Sequence, residues 1–210
     1  CKINVLDPFA GSGTTLLAAE STRVYSVGFE SHPFIYRVAK AKLAWDVDIS
    51  QLRAMAIELN AKARENIVET DRFNIPLLRK CFTPDFFYKL DALRNIFLAE
   101  FDRGKPESEI IWLCITSIIR ACSTAGTAQW QYVLPNKKKS KVLDPFEAFT
   151  LKMEQIIKDI SFAKQHNWIS NAEILNTDAR APEYTEKEIF DLVITSPPYP
   201  NNYDYADATR

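Results

Sequence analysis

The sequence contains few of the residues that build metal sites or disulfide frameworks. Its 210 residues include two histidines, His32 and His166, and four cysteines. The cysteines form no Cys-x-x-Cys pair, so we expect neither a zinc site nor another bound metal. They indicate reduced thiols in a cytoplasmic protein.

A surplus of charge and a long apolar run are also absent. The 26 Lys and Arg residues are offset by 27 Asp and Glu residues, which gives a formal net charge of −1. A uniformly basic protein is thereby excluded, and contact with nucleic acid requires a local positive surface. The longest apolar stretch, residues 110–119, is too short to span a bilayer, and we expect neither a signal peptide nor a membrane partner.

The two ends of the chain show alternating strand and helix patterns. Residues 3–6 and 24–29 predict strands, and each is followed by a helix, over residues 14–21 and from Pro33 onward. Residues 172–176 and 190–195 predict two further strands. This alternation favours a doubly wound α/β fold with a parallel sheet, whose ligands lie beyond the carboxyl ends of the strands.

Between these ends the spacing of apolar residues is helical. Helices are predicted over residues 50–66, 84–101, 106–122 and 145–166, with a loop over 123–142. We therefore divide the chain into 1–45, the first part of an α/β domain, 46–166, a helical insertion, and 167–210, the continuation of that domain. We expect a fragment whose sheet is completed by other segments or a partner chain, and which is inactive alone.

Two of the five glycines fall in one strand-to-helix turn, which reads Asp7-Pro8-Phe9-Ala10-Gly11-Ser12-Gly13-Thr14-Thr15. Glycine permits a tight turn and close approach of a ligand, and the N–H groups of a helix N-terminus favour a carboxylate. The turn lacks the lysine and spacing of a P-loop and the third glycine of the dinucleotide fingerprint. A Gly-x-Gly pair by itself is also typical of an ordinary βα turn, but the longer string is more specific.

The string DPFAGSGTT resembles the cofactor loop of amino-methyltransferases that act on DNA and, in some families, on RNA. The resemblance implies a Rossmann-like fold that binds S-adenosyl-L-methionine. Glu30 follows the second strand, where a carboxylate can accept hydrogen bonds from both ribose hydroxyls. Asp178 matches the position that binds the adenine amino group, although a turn aspartate before Pro182 is the alternative. The loop residues implied around the methionine part are Asp7, Pro8, Phe9, Gly11, Gly13 and Thr14.

The fourth predicted strand ends in Ser196-Pro197-Pro198-Tyr199. A proline pair can simply end a strand, but the chemistry of amino groups gives these residues a role. The amino nitrogen of cytosine or adenine is a poor nucleophile because its lone pair is delocalised into the ring. The Ser196 hydroxyl and the Pro197 carbonyl could accept its two hydrogens and localise that lone pair. Pro198 would keep the turn rigid, and Tyr199 would stack on a flipped-out base.

This tetrapeptide resembles the [DNS]PPY motif of DNA methyltransferases that modify N4 of cytosine or N6 of adenine. Serine at its first position is more typical of the N4-cytosine group, so the resemblance implies a site-specific enzyme acting on double-stranded DNA, with cytosine favoured. N6-adenine methylation, an RNA amino-methyltransferase of the tRNA guanine-N2 type and an inactive methyltransferase-fold subunit stay open. C5-cytosine methylation is disfavoured because no Pro-Cys nucleophile occurs. The recognition sequence and the biological role, such as restriction-modification, do not follow from these motifs.

The helical segment contains a second VLDPF string, at residues 142–146. No glycine follows it, and Asp144 as N-cap with Pro145 in the first turn predicts the start of a helix. The same segment contains the best local candidate for contact with phosphates, although a solvated basic loop is an equal reading. This cluster comprises Lys137, Lys138, Lys139 and Lys141, with Trp130 and Tyr132 nearby.

Overall fold

The computed structural model describes residues 3–126, 138, 139, 141–180 and 190–197. The chain forms two compact units. The first comprises residues 1–49, 103–113 and 157–198, and it contains the sheet. The second comprises residues 50–102, 114–156 and 199–210, and its described part is mainly helical.

The sheet of the first unit has four parallel strands in the described part, in the order β3-β2-β1-β4. Leu6 of β1 aligns with Val27 of β2 on one side and with Val193 of β4 on the other. The parallel α/β sheet predicted from the sequence is therefore confirmed. The strands are β1 (Asn4–Asp7), β2 (Tyr25–Phe29), β3 (Glu173–Leu175) and β4 (Leu192–Val193).

The last two strands are shorter than predicted, and at β3 this is because neighbouring groups make other hydrogen bonds. Before β3, the Ala172 N–H donates to a side-chain carboxylate at 3.1 Å. After it, the Asn176 side chain donates to the Glu30 carbonyl at 2.8 Å. Beyond β4 the chain still follows β1, since the Ile194 N–H donates to the Leu6 carbonyl at 3.0 Å.

The long helices lie within one residue of their predicted bounds, because each contains apolar residues at helical spacing. In the helix over 49–65, for example, Leu52, Ala56, Leu59 and Ala63 are buried. None of the described helices is long and apolar enough to cross a membrane. The helices are α1 (Thr14–Ser21), α2 (Pro33–Leu43), α3 (Ile49–Glu65), α4 (Pro76–Cys81), α5 (Pro84–Glu100), α6 (Pro106–Cys122) and α7 (Pro145–Gln165).

Two short elements of the second unit were not predicted. They are a 3-10 helix over Asp71–Asn74, with four residues, and α4, with six. No residue of either element is buried. A segment without a buried face has no apolar periodicity to reveal it in the sequence.

The second VLDPF string begins α7, as predicted. The Asp144 Oδ1 accepts the Phe146 N–H at 2.9 Å, and the Lys89 Nζ lies 2.8 Å from Oδ2. Burial opposes ionisation of Asp144, but the hydrogen bonds from Lys89 and the backbone outweigh it and lower the pKa of this carboxyl. This aspartate therefore caps a helix in the second unit.

In the first unit, the carboxylate of Glu20 joins three separate parts of the chain. Glu20 lies in the last turn of α1 and is 0% exposed. Its Oε2 accepts the Trp45 Nε1–H at 2.7 Å, and its Oε1 accepts the N–H groups of Asn171 and Ala172, each at 3.1 Å. One side chain thereby fixes α1, the segment after α2 and the chain entering β3, which lies 152 residues further on.

Replacing Glu20 by alanine should destabilise the first unit strongly. The change leaves two backbone N–H groups and one indole N–H buried without their acceptor, and we expect a loss of about 3 kcal/mol in the free energy of unfolding. Trp45→Phe removes only one of these donors and is expected to cost about 1 kcal/mol. Urea denaturation measures both, and equal losses for the two variants would contradict the assigned role.

Glu20 should also give the stability a defined pH dependence. Burial, the largest influence, raises the pKa of Glu20 above its usual 4.5 in spite of the hydrogen bonds. The folded chain thus binds this proton more tightly than the unfolded chain, so the contribution of Glu20 to stability falls as the pH rises from 4.5 through the folded pKa.

Glutamine does not titrate and therefore isolates this effect. We expect the free energy of unfolding of the wild type, minus that of Glu20→Gln, to be larger at about pH 4 than at about pH 7.5. Urea titrations of both proteins at the two pH values provide the measurement. A difference that is constant, or that increases with pH, would show that the folded pKa is not raised.

Candidate active site

The carboxyl end of β1 leads into a loop that is held by its own backbone. Asp7 is 3% exposed, and its Oδ1 accepts the Phe9 N–H at 3.1 Å. The Ala10 N–H donates to the Phe29 carbonyl at 2.9 Å, and the Gly13 N–H donates to the Ala10 carbonyl at 2.9 Å. The bond from Ala10 attaches residues 7–13, hereafter the glycine loop, to the end of β2. The other two bonds lie within the loop.

Both glycines of the loop adopt backbone angles that other residues disfavour. Gly11 has a φ of 53° and Gly13 a φ of 80°, in the left-handed region that glycine occupies without strain. A Cβ built on Gly11 meets no atom within 4 Å, whereas one on Gly13 lies 3.2 Å from the Ala39 Cβ of α2. The Gly11 side of the loop is thus open, and the Gly13 side packs on α2.

Gly13 is also the N-cap of α1, whose first turn begins at the exposed Thr14. No side chain forms a cap hydrogen bond there, and the first turn contains no acidic residue. The first N–H groups of a helix have no partner within the helix, and they favour an anion. The end of the glycine loop therefore suits a carboxylate.

A third glycine, Gly28 in β2, also shapes the site, although it was not among the residues predicted from the sequence. A Cβ at this position lies 2.7 Å from the Ala10 Cβ, 2.9 Å from the Leu16 Cδ1 and 3.2 Å from the Ile174 Cδ1. Any side chain here would displace the glycine loop from the sheet. A signal was available, because glycine inside a strand often marks the close approach of another backbone.

Glu30 lies at the carboxyl end of β2, next to the glycine loop. Its side chain is half-buried, and Oε1 accepts the His32 N–H at 2.7 Å. His32 in turn caps α2, since its Nδ1 accepts the Phe34 N–H at 3.2 Å. The Glu30 carboxylate is consequently fixed at the edge of the sheet where ligands of α/β folds bind.

Asp178, beyond β3, forms a local ion pair. Its Oδ2 lies 2.7 Å from the Arg180 Nη2, and its Oδ1 accepts the Arg180 N–H at 2.9 Å. Hydrogen bonds from the Arg180 side chain and backbone lower the pKa of Asp178 to about 2. These are contacts of a turn aspartate, so a ligand at Asp178 must share its oxygens with Arg180.

The beginning of the Ser-Pro-Pro-Tyr segment follows β4 at the same edge of the sheet. Because β4 pairs in parallel with β1, Ser196 and Pro197 leave the sheet beside the start of the glycine loop. Both residues are exposed. Pro198 and Tyr199 lie outside the described residues. Glu30, the glycine loop and Ser196 thus follow three neighbouring strands.

The strand order adds a reason to expect a ligand here. From β1 the chain proceeds to β2 and β3 on one side, whereas β4 lies on the other side of β1. Open α/β sheets bind ligands in the crevice where the order reverses, outside the carboxyl ends of the strands. That crevice is bounded by the glycine loop and Ser196.

The lysine cluster is only partly within the described residues, which exclude Lys137, Trp130 and Tyr132. Lys138 and Lys141 are exposed. Lys139 donates from Nζ to the Arg120 carbonyl at the last turn of α6. Burial and the nearby Arg120 charge lower the pKa of Lys139. Lys138 and Lys141 are therefore the described members that present their charges to solvent.

The thiols that the structure describes are unsuited to nucleophilic catalysis. Cys81, Cys114 and Cys122 are free. Burial raises the pKa of Cys114 to about 12 and that of Cys122 to about 11, so both stay protonated at neutral pH. In the same part of the chain, no group of three or more His, Cys, Asp or Glu side chains could hold a metal ion.

Comparison with known proteins gives matches over the glycine loop and over most of the chain. Residues 3–41 match the DNA methylase family of N6 and N4 methyltransferases. The Type II methyltransferase M.HindIII of Haemophilus influenzae is 54% identical over 39 residues, which cover 19% of this chain and 13% of that protein. No solved structure matches the chain significantly.

Two relatives match over a much longer stretch. The Type II methyltransferase M.BsoBI of Geobacillus stearothermophilus is 26% identical over 232 residues, which cover 96% of this chain and 44% of that protein. The Type II methyltransferase M.AvaI of Nostoc sp. is 26% identical over 229 residues, with 96% and 45% covered. The chain thus spans less than half the length of these relatives. The chain is thus similar to amino-methyltransferases at the DPFAGSGTT loop at the carboxyl end of β1 and, at lower identity, over most of its length.

Proposed function

We propose that this chain forms the cofactor-binding and catalytic part of an S-adenosyl-L-methionine-dependent DNA methyltransferase, with N4 of cytosine as the favoured target. The strand order carries the proposal. The strand that leads to Ser196 lies directly beside the strand that leads into the glycine loop. A methyl donor held by the loop and a base held at Ser196 would therefore meet at one crevice.

The glycine loop fits the methionine part of the cofactor. Its open side at Gly11 leaves room for a ligand, and the uncapped first turn of α1 suits the carboxylate. Bound there, S-adenosyl-L-methionine would supply an electrophilic methyl group. The residues proposed to surround it are Asp7, Pro8, Phe9, Gly11, Gly13 and Thr14.

The neighbouring strands supply two further proposed contacts. Glu30 would accept hydrogen bonds from the ribose hydroxyls, and its position at the end of β2 supports this role. Asp178 would bind the adenine amino group, with Arg180 sharing or releasing its carboxylate. These roles assume a Rossmann-like methyltransferase fold, in which residues 46–166 form a helical insertion.

The chemistry proposed at Ser196 and Pro197 concerns the target amino group. The Ser196 hydroxyl and the Pro197 carbonyl accept its two hydrogens, which concentrates the lone pair on nitrogen. The nitrogen would bond to the methyl carbon as the carbon–sulfur bond breaks and leaves its electron pair on sulfur, and one amino proton would be lost to solvent. Tyr199 stacks on the base after it leaves the duplex. The rate enhancement then comes mainly from positioning and electrostatics, since no nucleophilic side chain takes part.

DNA is the favoured substrate because the matched relatives are named as Type II methyltransferases and the matched family as DNA methylase. A biological role in restriction-modification would follow from the same relatives. In the helical segment, Lys138 and Lys141 are the described residues of the lysine cluster that could contact phosphates.

Cofactor binding should depend on the backbone of the glycine loop. Gly13→Ala introduces a Cβ at a φ of 80°, 3.2 Å from the Ala39 Cβ. We expect the dissociation constant for S-adenosyl-L-methionine to increase by about tenfold or more. Isothermal titration calorimetry with the chain gives the measurement.

Gly104→Ala is the matched control for backbone strain. Gly104 also has a positive φ, 95°, and open space at its Cβ position, but it lies outside the glycine loop. We expect this variant to retain wild-type affinity. If both substitutions weakened cofactor binding equally, backbone strain would act by destabilising the folded chain and not by changing the glycine loop.

Methyl transfer identifies the product and tests the role of Ser196. The whole protein that contains this chain is incubated with labelled S-adenosyl-L-methionine and with DNA or RNA, and the modified nucleoside is identified. We expect N4-methylcytosine in DNA. Ser196→Ala should lower kcat by about a hundredfold, because it removes one acceptor for the amino group, and should leave cofactor affinity unchanged.

The product of this assay tests the proposed base, the proposed nucleic acid and the proposed activity separately. N6-methyladenine would overturn the choice of base but keep the reaction class. Label found in RNA and not in DNA would overturn the substrate. Cofactor binding without transfer to either nucleic acid would favour an inactive methyltransferase-fold subunit.

A further inference from the structure

Lys42 contacts the glycine loop from α2, although neither the motifs nor the proposed mechanism includes it. Its Nζ donates to the Ser12 carbonyl at 2.7 Å and lies 3.3 Å from the Ser12 Oγ. Ser12 stands between the two loop glycines that have positive φ angles. The lysine therefore binds the loop backbone between its two left-handed residues.

The Lys42 side chain is partly shielded from water, although its contact with Ser12 lies at the surface. The side chain is half-buried, and burial lowers the pKa of Lys42 below its usual 10.5. Within the part of the chain that the structure describes, no carboxylate forms an ion pair with it. An ammonium group that is partly shielded from water and has no counter-ion carries a free-energy cost, which its hydrogen bonds to Ser12 partly offset. A nearby bound anion would reduce that cost.

The end of the glycine loop has features that suit such an anion. The uncapped first turn of α1 begins two residues after Ser12. A carboxylate held at that turn would lie in the field of both the helix N-terminus and the Lys42 ammonium. The hydrogen bond of Lys42 holds Ser12, and its charge lies close to the first turn of α1, which begins two residues later.

We propose that Lys42 is a positioning residue that holds the glycine loop in its ligand-binding form through the Ser12 carbonyl and favours the carboxylate end of the bound cofactor. The choice of cofactor rests on the function proposed above. The hydrogen-bond role of Lys42 does not, because it concerns the loop in the absence of any ligand.

Three variants of the whole protein that contains this chain test the inference. Lys42→Met removes the ammonium and keeps an unbranched side chain, and Lys42→Arg keeps the charge and a donor. Lys40→Met is the matched control, since Lys40 is an exposed lysine of the same helix whose Nζ lies 6.0 Å from the centre of the Tyr36 ring. Thermal unfolding verifies that each variant folds, and Lys42→Gln replaces Lys42→Met if the latter does not.

The first measurement is amide hydrogen exchange without cofactor over residues 7–16, which comprise the glycine loop and the start of α1. We expect Lys42→Met to raise the exchange rate by about tenfold, Lys42→Arg to restore most of the protection, and Lys40→Met to match the wild type. The second measurement is the dissociation constant for S-adenosyl-L-methionine by calorimetry. It should increase by about tenfold in Lys42→Met, with recovery in Lys42→Arg.

The two measurements distinguish the inference from the proposed function. Unchanged loop exchange in Lys42→Met would overturn the inference, even if the wild type binds the cofactor. Faster loop exchange with no cofactor binding by the wild type would overturn the proposed function and leave the hydrogen-bond role standing. Equal loss of affinity in the Met and Arg variants would refute the part assigned to charge.

Discussion

The sheet depends on the buried carboxylate of Glu20. Its strands come from two parts of the chain that lie far apart in the sequence, and Glu20 accepts hydrogen bonds from the segment after α2 and from the chain that enters β3. Burying a carboxylate is unfavourable unless donors replace the lost water, and here one indole and two backbone N–H groups do so. Because β3 begins immediately after these donors, the position of Ile174 against the glycine of β2 follows from this interaction.

A second constraint fixes the glycine loop between β1, β2 and α2. The loop backbone bonds to the end of β2, its second glycine packs on Ala39 of α2, and Lys42 of the same helix binds its central carbonyl. A segment with two left-handed residues would otherwise sample many conformations, and ordering it on binding would cost entropy. A loop ordered before the ligand arrives avoids that cost. The same arrangement leaves the Gly11 side open to a ligand.

Local patterns in the sequence predicted the features that depend on local physics. The helices over 84–100 and 106–122 follow from apolar residues three or four positions apart, and the start of α7 follows from Asp144 and Pro145. Features created by tertiary contact were missed. A glutamate in α1 resembles any solvent-facing helical residue, and Lys42 meets Ser12 across 30 positions of sequence. The glycine loop was predictable because two of five glycines occur together in it, whereas the carboxylate of Asp178 was not foreseen to pair with Arg180.

Gly28 shows how an absent side chain can fix the position of a loop on a sheet. A Cβ on this residue would collide with Ala10, Leu16 and Ile174, so the glycine loop and α1 pack directly on the bare backbone of β2. Substitution at this position should be tolerated far less than at exposed positions of the same sheet, such as Val193, which is 56% exposed. The close packing of the glycine loop on the sheet therefore depends on the absence of one side chain.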